Sequence, residues 1–182
     1  MVLARLQNLV RLGAVVAASA AGTGVEPAGA GAPVPEYALK AVYLYRFTNF
    51  VSWPKRDFAS PDAPFVIGIL GPDPFGGALE EVVRGERVGS HPIEVRRLSD
   101  LESARDCQLL FVDPGEEDYI RGQQLRALTV GDSRQFLEEG GMIRFVTEAG
   151  RVRLQINLAA AKSAGLTLSS QLLRISKVVG GP

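Results

Sequence analysis

His91 and Cys107 are the only imidazole and the only thiol in the chain, so nucleophilic or metal chemistry is sought there first. A zinc site takes about four ligands drawn mainly from His and Cys, and one of each falls short of that. A Cys–His nucleophile would need the two side chains to meet. Asp106 disfavours the neighbouring thiolate, and Cys107 opens a run of buried-strand type. The pair reads as a core thiol and a solvated histidine. Ser169-Ser170 has no G-x-S-x-G elbow around it and suits a helix cap. The acidic groups Glu80-Glu81, Glu116-Glu117-Asp118 and Glu138-Glu139 lie in polar stretches, whereas paired catalytic carboxyls need environments that split their pKa values. The loop Gly71–Gly77 (GPDPFGG) sits between a strand and a helix, where phosphate loops occur. It matches neither G-x-G-x-x-G nor G-x-x-x-x-G-K-[ST], and a tight turn with Asp73 as N-cap accounts for it. Such a helix start keeps the capacity to hold a small anion. No catalytic residue, metal ligand set or cofactor is expected.

Composition narrows the classes further. Of 182 residues, 20 are basic and 20 acidic, and 46% are hydrophobic, which is ordinary for one soluble domain. No charge excess draws the chain to nucleic acid or to an anionic membrane surface. With a single cysteine no intramolecular disulfide forms, so a domain of roughly 145 residues must rely on its core.

The first residues have the grammar of a secretory signal: Arg5 and Arg11, then the apolar run Leu12–Ala21, with Ala18-Ser19-Ala20 for cleavage. The run is half the roughly 20 residues that span a bilayer, which argues against an anchor. An Arg-rich transit peptide is the alternative. The expected organisation is a signal peptide over 1–21, a Gly/Ala/Pro linker over 22–35, one domain over 36–178 and a tail over 179–182. After cleavage no membrane insertion is expected.

The elements that must position any site alternate in type. Glu36–Phe50 has apolar residues around most of a helix and follows Pro35, and Trp53-Pro54 is expected to end it. Phe65–Leu70 reads as a strand, Asp73–Arg84 as a capped helix stopped by Gly85, and His91–Arg97 as an alternating strand. Gln108–Val112 and Ala127–Val130 read as strands, with a weak helix near Asp118–Leu125 and a short one from Asp132 or Ser133 to Gly140-Gly141. Met142–Glu148 and Arg151–Asn157 flank Ala149-Gly150 as a hairpin. Pairing Thr147 with Val152, Phe145 with Leu154 and Ile143 with Ile156 makes one face apolar. Leu158–Ala164 and Ser169–Val178 read as helices. The fold class is α/β: one domain with a mostly parallel sheet, helices on its faces and a C-terminal antiparallel hairpin at the edge.

Two surfaces stand out. Phe47, Phe50 and Trp53, with Phe58, cluster at the end of the first helix and offer either core or an aromatic ligand pocket. The outward hairpin face mixes Met142 and Val146 with Arg144, Arg151 and Arg153, residue types enriched at protein interfaces.

Several short motifs recur in a fixed order. Leu39–Tyr45 leads through Phe47 and Phe50 to Trp53-Pro54; Leu70–Gly76 follows, then Gly140–Ile143, Ile156–Leu158, Ala160-Ala161, Gly165-Leu166, Ser169-Ser170 and Leu172-Leu173. Taken together they resemble the YfiR family, with its HmsC-like relatives, over about Glu36–Val178. The resemblance implies a periplasmic protein that binds the periplasmic region of an inner-membrane diguanylate cyclase and holds it inactive, lowering cyclic di-GMP and biofilm and exopolysaccharide output. It implies no catalytic residue and no cofactor, and allows a homodimer. The chain departs from the family in two ways. Relatives often carry paired cysteines, so redox control through Cys107 would need an intermolecular disulfide, and the stretch from Val112 to Leu128 is compressed. For partner contact the expected residues are Arg144, Val146, Arg151 and Arg153 of the hairpin, with Leu166 and Leu168 of the loop entering the last helix. A small-molecule sensor with its pocket at Phe47, Phe50 and Trp53 is the rival reading, and a periplasmic enzyme is a weaker one.

Overall fold

Pro35 presets the backbone for a helix start, and the first helix, α1 (Glu36–Phe50), begins directly after it in the computed structural model, which describes residues 35–180. Only Glu36, Arg46 and Asn49 of α1 are exposed, as the near-continuous apolar pattern requires. The helix ends at Phe50 and not at Trp53. Val51 turns extended because β1 (Val51–Ser52) pairs antiparallel with β9 (Thr167–Leu168), where Val51 is buried opposite Leu168.

The main sheet is built on β2 (Phe65–Leu70), whose six residues are all buried. Its strands run in the order β10-β8-β7-β6-β5-β2-β4-β3. The other members are β3 (Arg87–Val88), β4 (His91–Leu98), β5 (Leu109–Val112), β6 (Leu128–Gly131), β7 (Ile143–Glu148), β8 (Arg151–Asn157) and β10 (Lys177–Val179). β4, β2, β5, β6 and β7 are mutually parallel. Taken in chain order, they lie second, first, third, fourth, fifth, a doubly wound arrangement. The α/β class with an antiparallel hairpin is the observed one.

The two faces of the sheet are covered differently. α1, α2 (Ala78–Val83), α3 (Leu158–Ser163) and α4 (Ser170–Arg174) all pack on one face, around Leu44, Phe47, Leu79, Ala161 and Leu172. The opposite face, with Val66, Leu110 and Val112, is closed by loops and by 3-10 turns at Glu102–Ala104 and Glu117–Tyr119. Two expected helices are therefore absent. Gly122, at φ +70°, interrupts the segment from Asp118 to Leu125. The segment from Ser133 to Gly140 is organised by Phe136, which is fully buried. Its ring occupies the space that a Cβ at Gly131 or Gly141 would need, at 2.6 and 2.3 Å.

Asp73 also acts differently from expectation. Its Oδ1 accepts the Phe75 N–H at 2.8 Å, and α2 starts only at Ala78, because Gly76 at φ +55° cannot belong to the helix. Gly85 ends α2 as expected.

The hairpin has the register that its alternation predicts, with Thr147 opposite Val152, Phe145 opposite Leu154 and Ile143 opposite Ile156. Ala149 and Gly150 both have positive φ, as a two-residue turn matched to strand twist demands. The hairpin is not the sheet's edge. Ser169 caps α4 by accepting the Leu172 N–H, but α4 ends at Arg174, and Lys177–Val179 leave the helix to pair parallel with β8 as β10.

Candidate functional site

The outward face of β7, β8 and β10 carries a row of polar and basic residues. Inward, Ile143, Phe145, Leu154 and Ile156 are buried in the core, and this anchoring fixes where the alternate residues point. Outward, Arg144 stands opposite Gln155, Val146 opposite Arg153, and Glu148 opposite Arg151. Arg144 donates from Nη1 to Gln155 Oε1 at 3.2 Å, while its buried Nε has no partner. Parallel pairing then sets Lys177 beside Gln155, so that Arg144, Gln155 and Lys177 form one row across three strands. Four cations, Arg144, Arg151, Arg153 and Lys177, share this face with one carboxylate, Glu148.

Arg151 and Arg153 are exposed, and Arg144 and Val146 are half-buried. Met142 is not on the face; it is core, with its N–H donated to Thr129 Oγ1 at 3.0 Å. Leu166 and Leu168 are also core residues, 3% and 8% exposed, because β9 draws their loop down onto β1. They have no surface to offer a partner. Lys177, together with exposed Ile175 and Val178, belongs to this edge but is hidden in the sequence by the helical spacing of its neighbours. The β-branched pair Val178-Val179 ahead of Gly180 is the one signal that marks it as strand.

The aromatic cluster does not converge on one pocket. Phe47 is fully buried and stacks on Phe145 with centroids 6.0 Å apart, and Phe50 is half-buried at the end of α1. Trp53 packs against the same core that holds Phe47. It donates Nε1–H to the Gln108 carbonyl at 2.8 Å and meets Phe65 edge-on. Trp53 lines an open cleft of about 740 Å³ with Phe58, Pro61, Val88 and His91. His91 stacks on Phe58 at 3.9 Å and directs Nδ1 to the Ala63 carbonyl at 2.6 Å.

Cys107 is buried elsewhere, against Gly68, and burial pushes its thiol up to about 11. It stays protonated at neutral pH. Among the described residues no group of three or more His, Cys, Asp or Glu could hold a metal ion, and no helix is long and apolar enough to cross a membrane.

The carboxyl ends of β5 and β6, where doubly wound sheets commonly bind ligands, are filled by the protein itself. Lys40, 2% exposed, reaches Asp132 Oδ2 at 2.6 Å and Glu36 Oε1 at 2.5 Å. Tyr37 donates its hydroxyl to the same Asp132 oxygen at 2.9 Å, and its ring lies 4.3 Å from the Lys40 ammonium. The Lys40 hydrogen bond holds Glu36 below the usual carboxylate range. Nearby, burial and the Asp132 charge raise the Asp113 carboxyl. This is an internal brace joining α1 to β6.

No curated protein matches the chain. The family described as YfiR/HmsC-like matches residues 37–177, from the second residue of α1 to the first of β10. That span contains the hairpin and all of both sheets but the last two residues of β10, and with it the chain belongs to the YfiR/HmsC-like family.

Proposed function

We propose that the chain is exported by the signal peptide over 1–21, binds the periplasmic region of an inner-membrane diguanylate cyclase, and represses it. At family level this is a periplasmic regulator in diguanylate cyclase control. The signal peptide lies outside the described residues. The observation that carries the contact is the cationic face of Arg144, Arg151, Arg153 and Lys177 around Val146, offset by Glu148 alone. Such a face steers and orients an acidic partner surface. Arg supplies forked hydrogen bonds there. Repression follows if the regulator binds the inactive cyclase more tightly than the active one, a tenfold preference being about 1.4 kcal/mol. The test is binding of the full chain to the cyclase's periplasmic region, with Arg151→Glu/Arg153→Glu beside it. Loss of binding with unchanged thermal unfolding supports this face; unchanged binding removes it.

A second reading, a small-molecule sensor, is favoured by the cleft at Trp53, Phe58 and His91. Quenching of the only tryptophan by a bound ligand tests it, and both roles fit one regulator.

A further inference from the structure

At the amino-terminal end of the sheet, away from the hairpin, a cleft of about 340 Å³ is lined by Arg56, Arg96, Arg105 and Arg126 with Asp57 and Asp106. Arg56 and Arg126 are the two cations of this lining without a carboxylate nearer than 4.0 Å among the described residues. Arg96 is paired to Glu94 at 2.9 Å and Arg105 to Glu102 at 3.8 Å. These are exposed ion pairs of small strength. Arg56 and Arg126 have only Asp57, whose Oδ1 lies 4.0 Å from each, beyond hydrogen-bond distance.

Asp57 is the unusual member. Its side chain is 6% exposed and neither carboxylate oxygen accepts a hydrogen bond. A buried ion without hydrogen bonds is costly unless a partner supplies them. Asp57 is also held in place: buried Gln108 donates Nε2–H to the Asp57 carbonyl at 2.6 Å while its Oε1 accepts the Val66 N–H. The guanidiniums of Arg56 and Arg126 roof the carboxylate, and both side chains are about two-thirds exposed and free to rotate.

Two demands follow from this arrangement. The two unbonded arginine forks call for an anion with oxygens that accept two donors at once. Asp57, uncovered when the two guanidiniums turn to that anion, calls for O–H or N–H donors on the same molecule. A phosphate monoester carries about −1.5 to −2 at neutral pH. We propose that this cleft binds a phosphate monoester on a hydroxylated skeleton, the sugar-phosphate class, with the phosphate on Arg56 and Arg126 and a hydroxyl donating to Asp57. The cleft volume lies in the range of small-ligand sites. This site is separate from the cyclase-facing surface and does not depend on that reading.

The experiment is calorimetric titration of the full chain with glucose 6-phosphate, inorganic phosphate and glucose. Glucose 6-phosphate is expected to bind one site, with inorganic phosphate about tenfold or more weaker and glucose without measurable binding. Arg56→Lys/Arg126→Lys, which keeps both positive charges over Asp57 but removes the forks, is expected to lower the glucose 6-phosphate affinity about tenfold or more with little change in the unfolding midpoint. Absence of saturable binding overturns the site. So does equal affinity for inorganic phosphate, which would leave only a simple anion site, or an unchanged affinity in the double variant.

Discussion

The Sγ of Cys107, two residues before β5, lies 2.8 Å from the point where a Cβ on Gly68 of the adjacent β2 would stand. Leu98 and Leu110 close the same space at 2.9 and 3.1 Å. Glycine in the middle of a fully buried strand is thus a packing requirement, and the thiol is the atom it makes room for. Gly68→Ala should destabilise the domain by about 1–3 kcal/mol through overpacking, read in a denaturant titration. An unchanged midpoint would mean that Cys107 and its neighbours shift freely.

The same burial predicts the chemistry of the thiol. With its pKa pushed up to about 11, Cys107 should react with a thiol reagent at neutral pH only as fast as the domain opens. Rapid labelling of the folded protein would place the thiol at the surface.

The brace between α1 and β6 makes an energetic prediction. Asp132→Ala leaves the buried Lys40 ammonium with Glu36 as its one carboxylate, and should cost about 3 kcal/mol. Lys40→Met/Asp132→Leu removes both charges and should cost clearly less. If the double variant is no more stable than the single one, the cost comes from lost packing and not from a stranded charge.

Asp113 gives a pH-dependent prediction. Its folded-state pKa is raised above its ordinary value of 3.8, first by burial and then by Asp132, Glu116 and Glu117. The folded state therefore holds the proton more tightly than the unfolded one. At pH 7 the ionised carboxyl opposes folding, and the penalty is relieved as pH falls through the folded pKa. Asp113→Asn should raise stability at pH 7 and lose that advantage below about pH 4. Glu36 acts with the opposite sign: its lowered pKa gives stability present above its ordinary 4.5 and lost on further acidification.

The proposed docking face is expected to separate function from stability. Charge reversal at exposed Arg151 and Arg153 should change the unfolding free energy by less than about 0.5 kcal/mol while weakening cyclase binding. Leu168→Ala, by contrast, opens a cavity in the core and should cost about 2–4 kcal/mol. Comparing the two in one binding assay and one melt distinguishes an interface residue from a core residue.

The hairpin was the most legible part of the chain. Its apolar alternation and the Ala149-Gly150 turn leave one register that buries Phe145 and Leu154 together. β10 was not legible, because Leu172, Leu173, Ile175 and Val178 repeat at helical spacing. What takes Lys177–Val179 into the sheet is the open side of β8, a tertiary partner that no local pattern reveals. The segment around Phe136 misled in a similar way. A capping residue followed by a mixed run suggested a helix, while one aromatic ring wedged against Gly131 and Gly141 set the path. At the candidate site, the arginines were visible from their alternation. Leu166 and Leu168 read as surface residues in the sequence because the β1–β9 pairing that buries them joins segments far apart in the chain.

The most direct test of the regulatory account is cyclic di-GMP in a strain lacking this gene. It should be compared with strains complemented by the full chain, by a form without residues 1–21, and by Arg151→Glu/Arg153→Glu. The account predicts a rise on deletion that the full chain reverses and that neither altered form reverses. An unchanged cyclic di-GMP level in the deletion strain would contradict repression of a cyclase by this protein.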